Sequence, residues 1–211
     1  METPLWKFDE ISEGVYEPRE DSFLLLDSIE ADLNLIKDKC QPTIVLEVGS
    51  GSGIIISAVS KALNTSALCL AIDINKSACK ITSQTASLNN VTVEVLRSDL
   101  LCGLKLDGLV DLFLINPPYV PSIEEEENSI LDKAWAGLDQ GRVLVNRLFK
   151  DLPQLMSKRC LGYLVAIEEN NPEEITNTLN SLGFTSVIIA RKKIIGEKLS
   201  VIRFSKGVNL K

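Results

Sequence analysis

Leu46-Glu47-Val48-Gly49-Ser50-Gly51-Ser52-Gly53 joins an apolar run, Thr43 to Val48, to a segment of helical pattern, Gly53 to Leu63. Glycines at a strand-to-helix junction let a ligand come close to the backbone, where a side chain would hold it off. The dinucleotide fingerprint G-x-G-x-x-G would need its third glycine at position 54, which is Ile54; here the glycines fall at 49, 51 and 53. Glu47 adds a second argument against a dinucleotide. A carboxylate at a strand end repels a pyrophosphate and suits a cation.

Working outward, Leu68 to Asp73 is a second apolar run and Asn75 to Leu88 a second helical stretch, so the order is β-α-β-α. Val91, Val93 and Val95 alternate with Thr92 and Glu94 and predict a third strand; the near-continuous run Leu109 to Asn116 predicts a fourth, covered on both faces. A helix over Val143 to Met156 leads to a fifth strand at Tyr163 to Glu168. Asn171-Pro172-Glu173-Glu174 then supplies a cap, a first-turn proline and two first-turn acids for a helix stopped at Gly183. Two last strands, Ser186 to Ala190 and Leu199 to Phe204, are joined by a turn containing Gly196. Upstream, Leu26, Ile29, Leu33 and Ile36 recur at helical spacing and predict one amphipathic helix from Glu20 to Lys37. Five alternating units closed by a hairpin predict an α/β, Rossmann-like fold with a seven-stranded, mostly parallel sheet and a terminal antiparallel hairpin. This is the class I S-adenosylmethionine-dependent methyltransferase architecture.

No internal repeat or linker divides the 211 residues, and 45% hydrophobic with 24% charged residues is the balance of one domain spanning 1–211. Within it, residues 1–40 are expected to pack on the cofactor site and 120–140 to form an acidic loop on the acceptor side. The net charge of −7 offers no general footprint for nucleic-acid phosphate. The absence of histidine removes Ser-His-Asp and Cys-His nucleophile pairs together with every imidazole metal ligand. Five cysteines, an odd number with no C-x-x-C pair, read as reduced, packed thiols. An acidic amino terminus and the lack of an apolar run near ~18 residues disfavour a signal peptide or a membrane span. The cytoplasm is the default compartment, with nuclear presence left open.

Asp73 ends the second strand, close to where an acid takes ribose hydroxyls. Asp99 follows the third, able to accept from an adenine amino group, with Leu100 offering a backbone amide and an apolar edge. Each acid alone also fits a solvated loop or a helix cap. With Glu47 they make three acids at successive strand ends, and a ligand with a ribose, an adenine, an ammonium and a sulfonium answers all three: S-adenosylmethionine, leaving as S-adenosylhomocysteine. Asn116-Pro117-Pro118-Tyr119 ends the fourth strand at the face where open α/β sheets bind ligands. An amide or exocyclic amine is a poor nucleophile because its lone pair is delocalised. The Asn116 side-chain oxygen and the Pro117 carbonyl can each accept one N–H of such a group, turning its lone pair toward a methyl donor and stabilising the positive charge that forms. Both prolines fix the backbone, and Tyr119 can pack on the flat acceptor. The bland alternative is a Pro-Pro turn with an ordinary packed tyrosine.

Tyr16-Glu17-Pro18-Arg19-Glu20-Asp21-Ser22-Phe23, the Leu46 to Gly53 loop, Asp73-Ile74-Asn75, Asn116-Pro117-Pro118-Tyr119 and Glu169-Asn170-Asn171-Pro172 together resemble the eukaryotic and archaeal branch of the HemK/PrmC-like release-factor glutamine methyltransferases. The resemblance runs over nearly the whole chain. It implies that Glu47, Gly49, Asp73, Asp99, Leu100 and Asn116 contact cofactor or acceptor, that Ser22 meets the methionine carboxylate, and that Tyr16 lines the same pocket; Gly51 and Gly53 of the glycine loop are also expected at the cofactor. Arg19 stands where this branch usually has a small residue. The implied substrate is the glutamine of the Gly-Gly-Gln loop in a class I translation release factor, and the implied partner is a small zinc-binding activator subunit, making a heterodimer. The Asn-Pro-Pro-Tyr chemistry also serves adenine N6-methylation of a flipped base; the acidic charge opposes that alternative. A non-catalytic subunit that binds cofactor for stability alone has no need of Asn116, Gly49 and Asp73 together.

A mean hydropathy of +0.13 and a third strand expected at a sheet edge suggest that the partner adds there. From Val120 to Gln140 the chain carries six acids against Lys133, suited to steering a basic protein loop or simply a solvated segment. Arg191, Lys192, Lys193 and Lys198 form a small basic group near the hairpin, read as a solvated face that could also touch RNA or a release factor.

Overall fold

The computed structural model describes residues 1–8, 14–64, 66–118 and 142–210. Helix α1 (Glu20–Ala31) precedes β1 (Ile44–Val48). There follow α2 (Ile54–Leu63), β2 (Leu68–Asp73), α3 (Lys76–Leu88), β3 (Glu94–Arg97), β4 (Val110–Ile115), α4 (Val143–Leu155), β5 (Met156–Ile167), α5 (Pro172–Ser181), β6 (Thr185–Ile194) and β7 (Glu197–Lys206). The sheet order is β3-β2-β1-β4-β5-β7-β6. The first five strands run parallel, while β7 lies antiparallel to β5 and β6 antiparallel to β7. The order therefore reverses between β1 and β4, the kind of crevice in which open α/β sheets bind ligands. Val48 pairs with Ile115, so Gly49 and Asn116, the next residue on each chain, leave the sheet side by side.

Alternate residues of the central strands feed two cores. Val45, Leu112, Leu114 and Tyr163 pack with α1 and α2 on one face; Leu46, Phe113, Ile115 and Leu164 pack with α4 and α5 on the other. On β5, Gly162 gives room to Phe204, whose ring would lie 2.0 Å from an added Cβ. Phe204 in turn meets Phe113 and Phe184.

Several boundaries differ from the sequence expectation, the hairpin strands running to Ile194 and from Glu197 rather than stopping at Ala190 and starting at Leu199. The single helix expected from Glu20 to Lys37 is divided at Asp32, with a separate π-helical turn at Leu35–Cys40. The Asp32 carboxylate turns inward to accept from the Tyr163 hydroxyl (2.9 Å) and from Arg203 (2.8 and 2.9 Å), contacts that no local pattern announces. Strand β3 starts at Glu94 rather than Val91, because the Val91 N–H is still bonded to the Ala86 carbonyl of α3. Strand β5 begins at Met156, seven residues before Tyr163, and its polar start is held by Ser157 Oγ donating to Asp111 (2.6 Å). The expected edge position of β3 is found, with β6 at the other edge.

Candidate active site

The glycine loop is held from behind by α3. The Gly49 and Ser50 N–H groups both donate to the Ile72 carbonyl (2.8 and 3.2 Å). Ser50 Oγ bonds Thr82 Oγ1 at 2.8 Å, and Thr85 Oγ1 donates to the Ser52 carbonyl at 2.7 Å. Gly53 has φ +75°, and a Cβ there would stand 2.7 Å from Thr82 Cα, so the loop can close on α3 only with glycine. Gly49 differs. Its φ is +72°, yet nothing lies within 4 Å of where its Cβ would be: the space in front of the loop is open, as a ligand cradle requires. Thr82 and Thr85 are fully buried and were missed by sequence reasoning; the one signal was their place among Ile81 and Ala86 on the helical period.

Two of the three acids face backbone. Asp73 takes the Gly51 N–H on Oδ2 (3.0 Å) and the Asn75 N–H on Oδ1 (2.8 Å), tying the glycine loop to the end of β2. Glu47 is 2% exposed and accepts from the Ile56 N–H in the first turn of α2 (3.0 Å). Burial pushes its carboxyl well above the ordinary 4.5; that one hydrogen bond opposes the rise and the Asp73 charge adds to it. Among the described residues no salt bridge reaches Glu47. A buried acid without a cation, beside a second acid, fits a positively charged ligand. Asp99 is exposed and is not free: it accepts from Arg147 of α4 at 2.9 Å, a long-range pairing invisible in the sequence. Leu100 beside it has φ +50°, the left-handed region that a leucine rarely occupies and that clusters at functional sites. A hollow of about 470 Å³ opens there between Asp99, Leu100 and the α4 side chains Arg147 and Lys150.

At the end of β4, the Asn116 Nδ2 group donates to Asp21 Oδ2 at 2.8 Å and stands 3.4 Å from Ser22 Oγ. Its Oδ1 is buried and has no hydrogen-bond partner among the described residues. Tyr16 Oη donates to Asp21 Oδ1 (3.2 Å), and the Arg19 guanidinium lies 5.9 Å above the Tyr16 ring. Gly14 accepts from Asn75 Nδ2, so the segment before α1 crosses to the end of β2. The structure thus brings Tyr16, Ser22 and Asn116 together at one strand end, and adds Asp21, to which sequence reasoning assigns no role of its own within the Tyr16 to Phe23 segment. Pro117 is buried and Pro118 exposed. Tyr119 and the acidic stretch 120–140 lie outside the described residues. The basic group near the hairpin is smaller than its sequence suggests, because Arg191 pairs with Glu173 and Lys198 with Glu168.

A parallel sheet of this order, with an open glycine turn at its switch point and the terminal hairpin, is the fold of the class I methyltransferases. The chain belongs to the methyltransferase small-domain family, which matches residues 22–172, and within it to the HemK-like branch. It is 43% identical over 196 residues to the mouse methyltransferase HEMK2, covering 92% of this chain and 90% of that protein. It is 36% identical over 189 residues to a putative protein N5-glutamine methyltransferase of Methanocaldococcus jannaschii, covering 89% and 90%. Among solved structures it is similar to the E. cuniculi Mtq2–Trm112 complex, responsible for methylation of the eRF1 translation termination factor: TM-score 0.66, 26% identity, 91% of this chain and 98% of that one.

Proposed function

We propose that this chain transfers a methyl group to the side-chain amide nitrogen of the glutamine in the Gly-Gly-Gln loop of a class I translation release factor, as the catalytic subunit of a heterodimer with a small zinc-binding activator. The observation that carries the reading is the Asn116 Oδ1 atom, buried at the end of β4 and without a partner among the described residues. Buried oxygens are nearly always paired, so one left open at a strand end suits a ligand's N–H. The relatives named for glutamine and release-factor methylation supply the class of N–H.

S-adenosylmethionine, the methyl donor, supplies an electrophilic methyl on a sulfonium and leaves as S-adenosylhomocysteine. Asp73 and the buried Glu47, whose carboxyl a cationic ligand would favour in its ionised form, would hold it, the open face at Gly49 and Gly51 would admit it, and Asp99, Leu100, Ser22 and Tyr16 would complete the wall. Asn116 Oδ1 and the Pro117 carbonyl, which belongs to a residue with no backbone N–H of its own, accept the two hydrogens of the planar NH2 group. As nitrogen becomes tetrahedral and positive, both acceptors gain in strength, which lowers the barrier without a general base. The nitrogen releases its proton to solvent after the new N–C bond has formed. Nothing among the described residues needs to be a strong base, in keeping with a chain that lacks histidine.

For the partner we favour the β3 edge, where Leu96 stands 41% exposed. Unpaired apolar edges accept strands from other chains. An intact heterodimer after Leu96→Lys would remove that site from consideration. Among the described residues no helix is long and apolar enough to cross a membrane; a translation factor as substrate supports a cytoplasmic reaction.

The deciding experiment co-expresses the chain with its activator and follows labelled methyl into a purified class I release factor, the same factor with its Gly-Gly-Gln glutamine replaced, and adenine-containing DNA. Label on the unmodified factor alone is the expected result. Label on DNA with none on the factor would mean that the amine chemistry is right and the acceptor wrong.

A further inference from the structure

We infer that Asp21 is the residue that decides which way round the Asn116 amide sits, and so keeps its oxygen, rather than its nitrogen, available to the acceptor. The inference rests on the reading of Asn116 Oδ1 as the atom that receives an acceptor N–H. The two ends of a carboxamide are nearly the same size and differ only in donating or accepting, so packing alone discriminates poorly between an asparagine and its flipped form. Hydrogen bonding must choose. A carboxylate can only accept, and Asp21 Oδ2 lies 2.8 Å from Asn116 Nδ2, so the NH2 end is the one that can face it. In the flipped form two oxygens would meet at that distance, and the NH2 end would be presented to another NH2 group.

Asp21 is itself held. It is 2% exposed in the first turn of α1, where the free N–H groups of the helix start favour negative charge. Tyr16 Oη at 3.2 Å and Ser22 Oγ at 3.5 Å donate to its Oδ1, leaving Oδ2 for Asn116. With its nitrogen so occupied, Asn116 keeps Oδ1 buried and without a partner among the described residues. Asp21 is a positioning residue on this account. It comes from a segment 95 residues away in sequence and acts on the reacting group through Asn116.

The test exchanges the two polarities. Asp21→Asn lets the amide at 116 flip and lowers kcat by about tenfold, with affinity for S-adenosylhomocysteine by calorimetry held within about threefold. Asn116→Asp places two carboxylates face to face and lowers kcat by about a hundredfold or more. Combining D21N with N116D restores a donor opposite an acceptor, with the introduced carboxylate keeping one oxygen for the acceptor N–H; kcat recovers at least about tenfold over N116D alone. A double variant no better than N116D, or a D21N variant that loses cofactor affinity in step with kcat, overturns the proposal. A readout independent of turnover is the exchange of the Asn116 side-chain NH2 with solvent by NMR. Slow exchange that becomes fast in D21N is expected, and exchange unchanged by D21N overturns the role of Asp21 whatever the acceptor. Failure of the wild-type heterodimer to label the release factor refutes the acceptor reading instead.

Discussion

The ends of β1 and β2 and the end of β4 hold their polar side chains in opposite ways. At β1 and β2 the acids are committed to backbone: Glu47 to Ile56, nine residues on, and Asp73 to Asn75 and to Gly51 of the glycine loop. At β4 the asparagine is held by another side chain, Asp21, from the far end of the chain, and one of its atoms is left open. The first region is a shaped turn whose polar groups are tied to backbone and to the α3 hydroxyls behind it. The second is assembled from two distant segments, and its specificity lies in which atom is left unpaired. The glycine region can therefore be damaged sterically, the asparagine region only chemically.

The largest effect expected is on the chemistry. Asn116→Ala should lower kcat for methyl transfer by about 10²–10³-fold, as removal of one preorganised hydrogen-bonding group at a reacting centre does, while the folded heterodimer persists in circular dichroism and gel filtration. A full rate would remove the distinction between the two regions. Next come the glycines, which should separate stability from binding. Gly53→Ala forces a Cβ within 2.7 Å of the Thr82 backbone at φ +75° and should cost about 3 kcal/mol in urea unfolding. Gly49→Ala meets open space, so it should cost only about 1–2 kcal/mol of backbone strain and yet weaken S-adenosylhomocysteine binding more than Gly53→Ala does at equal folded fraction.

Glu47 gives a prediction with a pH sign. Because burial raises its carboxyl above the ordinary 4.5, the folded chain holds that proton more readily than the unfolded one. Its contribution to stability is thus complete below about pH 4.5 and is lost as pH rises through the raised value. Glu47→Gln should remove that decline, raise the melting temperature of the ligand-free protein at pH 8, and weaken cofactor binding; a variant that loses stability at pH 8 would show that the carboxylate is already compensated. The smallest effect falls on the support behind the loop. Thr85→Val removes one hydrogen bond to the Ser52 carbonyl and should cost about 1 kcal/mol in urea, with binding reduced only modestly.

The legible parts share one property, short range. Apolar runs and glycine spacing placed α2, β2, α4 and α5 within a residue or two, and the cap Asn75, which accepts from the Ser77 N–H, sits where the helix was expected to open. Residues that failed to announce themselves took partners far away. Asp32 leaves its helix for Tyr163 and Arg203, Asp99 is taken by Arg147, and Thr82 and Thr85 turn polar groups inward to a loop some 30 residues back. A period-counting argument sees each of these as a solvated polar residue, because nothing within one or two turns of it is a partner.

The sequence by itself determined the alternation of strands and helices, the glycine turn and the Asn-Pro-Pro end of β4, since each depends on backbone preferences and on which face of a segment is apolar. Only the tertiary structure decided that Gly49 and Asn116 emerge side by side, that Glu47 is buried without a counter-charge, and that Asp21 is the partner of Asn116. Strand order and side-chain pairing over 95 residues are properties of the whole packed chain: burial removes water as the competing partner, and only then does it matter which donor has been brought to which acceptor.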